Sequence, residues 1–360
     1  MPGILLIIIS QVVLAQSPLA KAEAQNFAAV RLVREGRYAE AEGLFRAALS
    51  GHYDDDLTRA KIAHNLGSLD EWQDRYLDAE IMYRSALQWH RKNLPAGSVE
   101  IAYSLNNLAN IYRIEGRNRE AQNLLETAVQ SLEQLHPDAP GLPRILSNLA
   151  LVHFSFGELA AAEELLRRAI ISYQPRETSS LDYGVALVNL AQVLQARNDL
   201  DAAAPLYAQA ISIFDNLGTQ AQPFLAAALA PNGTLYQRQG RMEEARQVEQ
   251  RALALLRPTG DEVLRASILQ NLGIIAASAG HAADSLHYYE ESLAIHKRIF
   301  GTDCPATASL LLDYASAATR AGNKSLSRKL RSRAKELLAR SHPTSLEGLT
   351  VSLNALRETK

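Results

Sequence analysis

A chain of 360 residues has room for about two ordinary domains or for one extended array. With 37 Lys and Arg against 39 Asp and Glu, its formal net charge of -2 excludes the cationic excess that non-specific nucleic-acid binding needs. One cysteine, Cys304, excludes an intramolecular disulfide and a cysteine-only metal site, and two tryptophans with 6% aromatics leave a chain dominated by helix-forming Ala and Leu.

The chain opens on MPGILLIIISQVVLAQ. The apolar run from Ile4 to the small-residue pattern Val13-Leu14-Ala15 has the length of a secretory signal and is too short to anchor in a bilayer. No Lys or Arg precedes it, so a positive n-region is missing. Residues 1–15 are expected to be a signal peptide, making the protein exported, periplasmic or secreted; if that segment is not a signal, the protein is cytoplasmic. No later run approaches the ~20 apolar residues of a membrane span, so no span is expected in the mature chain.

From residue 24 to 340 the sequence repeats. Candidate turns stand at Gly36, Asp74, Gly116, Gly157, Asn198, Gly240, Gly280 and Gly322, spaced 38, 42, 41, 41, 42, 40 and 42 residues apart. Each is a residue type that tolerates the left-handed backbone with which a helix stops sharply. Five residues after each turn come Ala41, Ala79, Ala121, Ala162, Ala203, Ala245, Ser285 and Ser327. Seven residues further, on the same helical face, come Ala48, Ala86, Ala128, Ala169, Ala210, Ala252, Ser292 and Ala334. Small residues there let two backbones approach closely. Bulk lies between the columns, at Leu44, Met82, Leu124, Leu165 and Leu206, beside Phe45, Tyr83, Tyr207 and Tyr289.

Pro- and Gly-rich breakers separate the units, among them HPDAPGLP, QPRETSS, RPTGDE and FGTDCP. Each unit therefore reads as helix A, tight turn, helix B, with helices of roughly 17 residues. A lone hairpin cannot bury its apolar face. Eight of them must stack into an all-α solenoid.

The pattern Gly, then Ala, then an aromatic, then Ala across a helical hairpin resembles the tetratricopeptide repeat. The longer period, with phrases such as LNNLANIYRIEGRNREAQNLLETAV and SLAIHKRIFGTDCPATASLLLDYA, looks like the kinesin light chain variety. The resemblance implies a right-handed superhelix of about eight repeats whose A helices line a concave groove, where peptides of partner proteins commonly bind.

Nine residues before the turns stand Asn65, Asn107, Asn148, Asn189, Pro231, Asn271 and Asp313. Apolar residues three positions before and four after place this column at the edge of the buried face. One expectation is a ladder of carboxamides in the groove, each able to pair with the C=O and N–H of an extended peptide. The other is structural: each Asn bonds the neighbouring helix and fixes the stacking register. In kinesin-light-chain-like repeats, groove contacts are attributed to this Asn.

Lys61 and Arg144 lie one turn before Asn65 and Asn148. With Asn107 they look like the carboxylate clamp of cochaperone tetratricopeptide domains, although those clamps belong to shorter repeats. Otherwise they are solvated rim charges.

Pro231 is expected to kink the sixth repeat, unless APNG restarts the helix there. The last helix, NKSLSRKLRSRAKELLARS, holds seven Lys and Arg against Glu336 and reads either as a polar cap or as a docking patch for an acidic partner or anionic surface. The tail, 341–360, contains LEGLTVSLNAL, with Leu349, Val351 and Leu353 at strand spacing.

No phosphate-cradling glycine loop, His-Glu-x-x-His or Gly-x-Ser-x-Gly motif is present. His281 and His287 are six apart and do not share a helical face, and the YDDDL run lacks calcium-ligand spacing. Cys304 has no matched His. No catalysis, cofactor or metal is expected. The expected function is a scaffold that binds proteins or peptides, with homo-oligomerisation left open. The alternatives are a self-associating structural element and a regulatory array working with a separate enzyme.

Overall fold

The structure, a computed structural model, describes residues 17–173, 177–256, 262–301, 304 and 307–340. The expected signal peptide and the tail lie outside the described residues. Sixteen α-helices occur among the described residues, alternating as the A and B helices of eight repeats. They are α1 (Pro18–Arg34) with α2 (Tyr38–Leu49), α3 (Asp56–Trp72) with α4 (Tyr76–Asn93), α5 (Val99–Ile114) with α6 (Asn118–Leu135), and α7 (Leu142–Ser155) with α8 (Leu159–Ser172). There follow α9 (Leu181–Ala196) with α10 (Leu200–Leu217), α11 (Gln222–Arg238) with α12 (Met242–Leu255), α13 (Glu262–Ser278) with α14 (Ala282–Phe300), and α15 (Thr307–Arg320) with α16 (Lys324–Arg340). Odd numbers are the A helices. The chain forms two compact units, one ending at Phe156 and the other beginning at Gly157. Within each, successive helices pack against one another as a solenoid requires.

The turns explain why the helices stop where they do. All eight expected turn residues have positive φ, from 58° at Asp74 to 81° at Gly280. The residue after the turn donates its N–H to a carbonyl five positions back, as Arg117 does to Tyr112 (2.7 Å) and Arg241 to Tyr236 (2.9 Å). That bond satisfies a carbonyl the helix end would otherwise leave orphaned.

Packing follows the columns. Every residue of the two small columns is buried, and the serines bond the facing helix: Ser285 Oγ donates to Gly273 O and Ser327 Oγ to Ala315 O, both at 2.8 Å. A third small column, seven residues before the turn on helix A, holds Ala29, Gly67, Ala109, Ala150, Ala191, Gly233, Gly273 and Ala315. It seats the bulk of helix B. A Cβ added to Gly67 would lie 2.9 Å from the Tyr83 ring, and one on Gly273 would lie 3.0 Å from Tyr289. Burying such a ring contributes about 2–3 kcal/mol.

Repeat six differs from its neighbours in two respects. The kink expected at Pro231 does not interrupt the helix, because α11 runs from Gln222 through to Arg238. Proline removes one backbone bond there, and the buried residues on both sides of it, Leu229, Ala230, Asn232 and Gly233, hold the helix across the gap. Secondly, the bulky column does not continue into repeat six, where Glu249 takes the place of Tyr207 or Tyr289 and is 0% exposed.

Candidate functional site: a polar seam on the A helices of the first unit

Three A helices of the first unit, α3, α5 and α7, carry an unusual density of buried polar side chains. Asn107 and Asn148 are 8% and 5% exposed, which places them inside the stack rather than at its edge. Their amides are committed to neighbouring helices. Asn148 Nδ2 donates to Asn106 Oδ1 (2.7 Å), Asn106 Nδ2 to Asn107 Oδ1 (3.1 Å), and Asn107 Nδ2 to His64 Nδ1 (3.1 Å). One hydrogen-bonded relay thus crosses α7, α5 and α3. One repeat earlier, Asn65 Nδ2 donates to Asn26 Oδ1 on α1 (2.9 Å).

The common geometry is that the Asn nine residues before a turn bonds the residue ten before the preceding turn. His64 and Asn106 occupy that second column, and neither was picked out by the sequence. The signal was present as the dipeptides His64-Asn65 and Asn106-Asn107.

His64 accepts through Nδ1, which fixes its neutral tautomer. Burial, with the positive Arg144 nearby, pushes its pKa down to about 4. Arg144, on the first turn of α7, is half-buried, and its Nε is shielded from water without a hydrogen-bond partner among the described residues. Lys61, one turn before Asn65, is exposed. Neither cation has an ion pair among the described residues. The start of α7 is held over α5 by Gly141, whose N–H donates to Tyr103 Oη (3.0 Å) and whose missing side chain leaves room for that ring.

Below this lies a second cluster with a different character. Glu71 accepts from Tyr83 Oη (3.0 Å) and from Asn110 Nδ2, and Asn110 Oδ1 accepts from Arg113 (3.0 Å). These bonds tie α3, α4 and α5 together.

The sequence matches the tetratricopeptide repeat model over residues 58–134 and 98–174, and the MalT-like TPR region over 143–311. Together these cover residues 58–311. The chain belongs to the tetratricopeptide repeat superfamily.

Solved structures of similar fold include the apo form of the quorum sensor NprR from Bacillus thuringiensis, 11% identical, at TM-score 0.65 over 94% of this chain and 93% of that one. Aspartyl phosphate phosphatase F from Bacillus subtilis is 12% identical, at TM-score 0.59 over 89% of this chain and 94% of that one. A kinesin light chain-like repeat protein from Podospora anserina is 20% identical, at TM-score 0.46 over 56% of this chain and 97% of that one. At these identities the first two likenesses bear on fold alone. No protein of curated function matches the sequence.

In the second unit the repeat's asparagine column is less regular. Asn189 is 2% exposed, and its Nδ2 has no hydrogen-bond partner among the described residues. Asn271 Nδ2 donates to Glu249 Oε1 (2.7 Å) and to Thr234 Oγ1 (3.3 Å). Asp313 Oδ2 accepts from Gln270 (2.7 Å), which reverses the direction of the bond while keeping the two columns. The structure thus brings Lys61, Arg144, Asn107 and Asn148 onto neighbouring helices of one unit, whereas Asn189 and Asn271 belong to the other. Cys304 is half-buried. Among the described residues no cluster of His, Cys, Asp and Glu could hold a metal ion, and no helix is long and apolar enough to cross a membrane.

Proposed function

We propose that this tetratricopeptide repeat protein is a non-catalytic scaffold that binds a partner protein through an acidic or C-terminal peptide segment, held on the A helices of repeats two to four. The observation that carries this reading is Arg144, whose Nε is buried next to a histidine held neutral, with no partner and no bonded carboxylate among the described residues. A shielded guanidinium N–H without an acceptor is costly, and a ligand carboxylate removes that cost with strong charge-assisted bonds. Lys61 extends the positive face. The asparagines take a supporting part in this reading: Asn107 and Asn148 hold His64 and the α5 face in place by the relay. Asn65, Asn189 and Asn271 serve the stacking of their own repeats.

The test is a pull-down from the extracytoplasmic fraction, comparing the wild type with Arg144→Ala and with Asn107→Ala/Asn148→Ala, and with circular dichroism as the control for folding. Loss of a partner in Arg144→Ala, with helicity intact, supports the reading. Unchanged partners in both variants would falsify it and move attention to the ends of the array. The choice of fraction rests on a further proposal, that the apolar run from Ile4 to Ala15 directs export. Mass spectrometry of the protein isolated from its source organism checks this, because a retained Met1 would overturn it.

A further inference from the structure

One stripe of α16 differs from the corresponding stripe of earlier B helices. Residues two, six, nine and thirteen positions after a turn share one helical face. In earlier repeats this face buries Phe45, Tyr83, Leu87, Leu125, Val129, Tyr207, Tyr289 and Leu293. In α16 the same positions are Lys324, Arg328, Arg331 and Lys335, all exposed. None has an ion pair among the described residues, and the one carboxylate of the helix, Glu336, is taken by Arg333 at 3.0 Å. Arg331 Nε reaches only Ser327 Oγ of its own helix, at 3.4 Å.

The column six residues after the turn shows what such a stripe receives. Glu42 bonds Arg75 of the next hairpin (2.9 Å), Glu80 bonds Arg117 (2.8 Å), and Glu163 bonds Arg197. In each pair the earlier hairpin supplies the carboxylate and the later one the cation. Arg328 occupies this column with the opposite sign.

We propose that this stripe is a docking surface for an acidic amphipathic helix of a partner protein. The helix sits where a ninth hairpin would lie, with its carboxylates against Lys324, Arg328, Arg331 and Lys335. A second copy of the chain is a poor occupant, because its first helix would bring exposed Lys21, Arg31 and Arg34 against these cations. Residues 341–360 carry Glu347 and Glu358 against Arg357 and Lys360, so they bring no net negative charge. Complementary charge of this kind governs encounter and register more than total affinity, so binding weakens with salt.

The test uses the full chain and a labelled, helix-stapled peptide of about twenty residues, with Glu at positions i, i+4, i+7 and i+11. A scrambled peptide of the same composition is the control, and fluorescence anisotropy reads binding at low and high salt. The expected result is salt-sensitive binding of the patterned peptide alone. Arg328→Glu/Arg331→Glu should weaken it about tenfold or more, and Lys329→Glu, on another face of α16, by less than about twofold. Circular dichroism confirms that the variants are folded. Equal binding of the scrambled peptide, equal loss with Lys329→Glu, or no binding of the patterned peptide overturns the proposal. Binding confined to vesicles of phosphatidylglycerol in phosphatidylcholine also overturns it, in favour of an anionic lipid surface.

Discussion

His64 and Glu249 are ionisable groups held neutral by burial, and their pH dependences run in opposite directions. For His64 the folded pKa of about 4 lies below the ordinary value of 6.5, so between those limits the unfolded chain binds the extra proton. Its contribution is complete above pH 6.5 and declines as pH falls toward 4, by up to about 3 kcal/mol. His64→Gln should flatten the acid limb of the melting temperature against pH; an unchanged limb would show that other groups set it. For Glu249, burial raises the pKa well above 4.5, outweighing the Asn271 bond that lowers it. Here the fold keeps a proton that the unfolded chain loses, so stability falls as pH rises above about 4.5. Glu249 Oε2 also lacks a hydrogen-bond partner among the described residues. Glu249→Gln should therefore stabilise the second unit at neutral pH by about 1–3 kcal/mol, with a smaller gain at pH 5. Calorimetry at the two pH values checks this, and a gain independent of pH would mean that the carboxyl does not titrate in the fold.

At the scale of the helix and turn, backbone conformation sets the expectations. Gly116 has φ of 74°, and a Cβ there meets nothing within 4 Å, so Gly116→Ala introduces conformational strain alone. It should cost about 1 kcal/mol, measured by urea unfolding. Asp74 adopts φ of 58° and accepts a bond from Tyr76 Oη at 2.7 Å. Asp74→Gly relieves the strain but gives up that exposed bond, so a gain below about 1 kcal/mol is expected. The small columns tolerate less. Ala121 and Ala128 are fully buried where α6 meets its neighbours, and Ala128→Leu should destabilise by about 1–3 kcal/mol or more through overpacking. In the triplet Asn148-Leu149-Ala150 each residue has its own task. Asn148 bonds the preceding A helix, Leu149 fills the core, and Ala150 keeps its place in the column of small buried residues.

At the scale of the whole molecule, each hairpin depends on its sequence neighbours, so protection should be graded rather than uniform. Hydrogen exchange should be fastest in α1 and α16, which have a neighbouring hairpin on one side only among the described residues. It should be slowest in α5 and α9, whose buried residues run continuously from Leu105 to Tyr112 and from Tyr183 to Ala191. Uniform exchange across all hairpins would refute the nearest-neighbour picture.

The sequence alone determined the class of fold, the eight turns and the two small columns, because each depends on a local requirement repeated about every 41 residues. A left-handed turn needs Gly, Asn or Asp, a close helix contact needs Ala or Ser, and repetition makes both visible without a partner residue being known. The sequence also marked Lys61, Arg144 and the asparagine column as worth attention. It did not decide what the asparagines bond, since the partner column stands one position and one repeat away, and residue identity alone does not give the rotation between neighbouring helices. Tertiary structure decided that Asn107 and Asn148 spend amide hydrogens on His64 and Asn106, and that α11 continues through Pro231. It also decided that Arg144 lies beside a neutral histidine with its Nε unpaired, and that Glu249 fills a place built for an aromatic ring. Each of these depends on how much water the neighbouring repeat excludes, and desolvation is a property of the stacked hairpins that no single repeat carries in its own sequence.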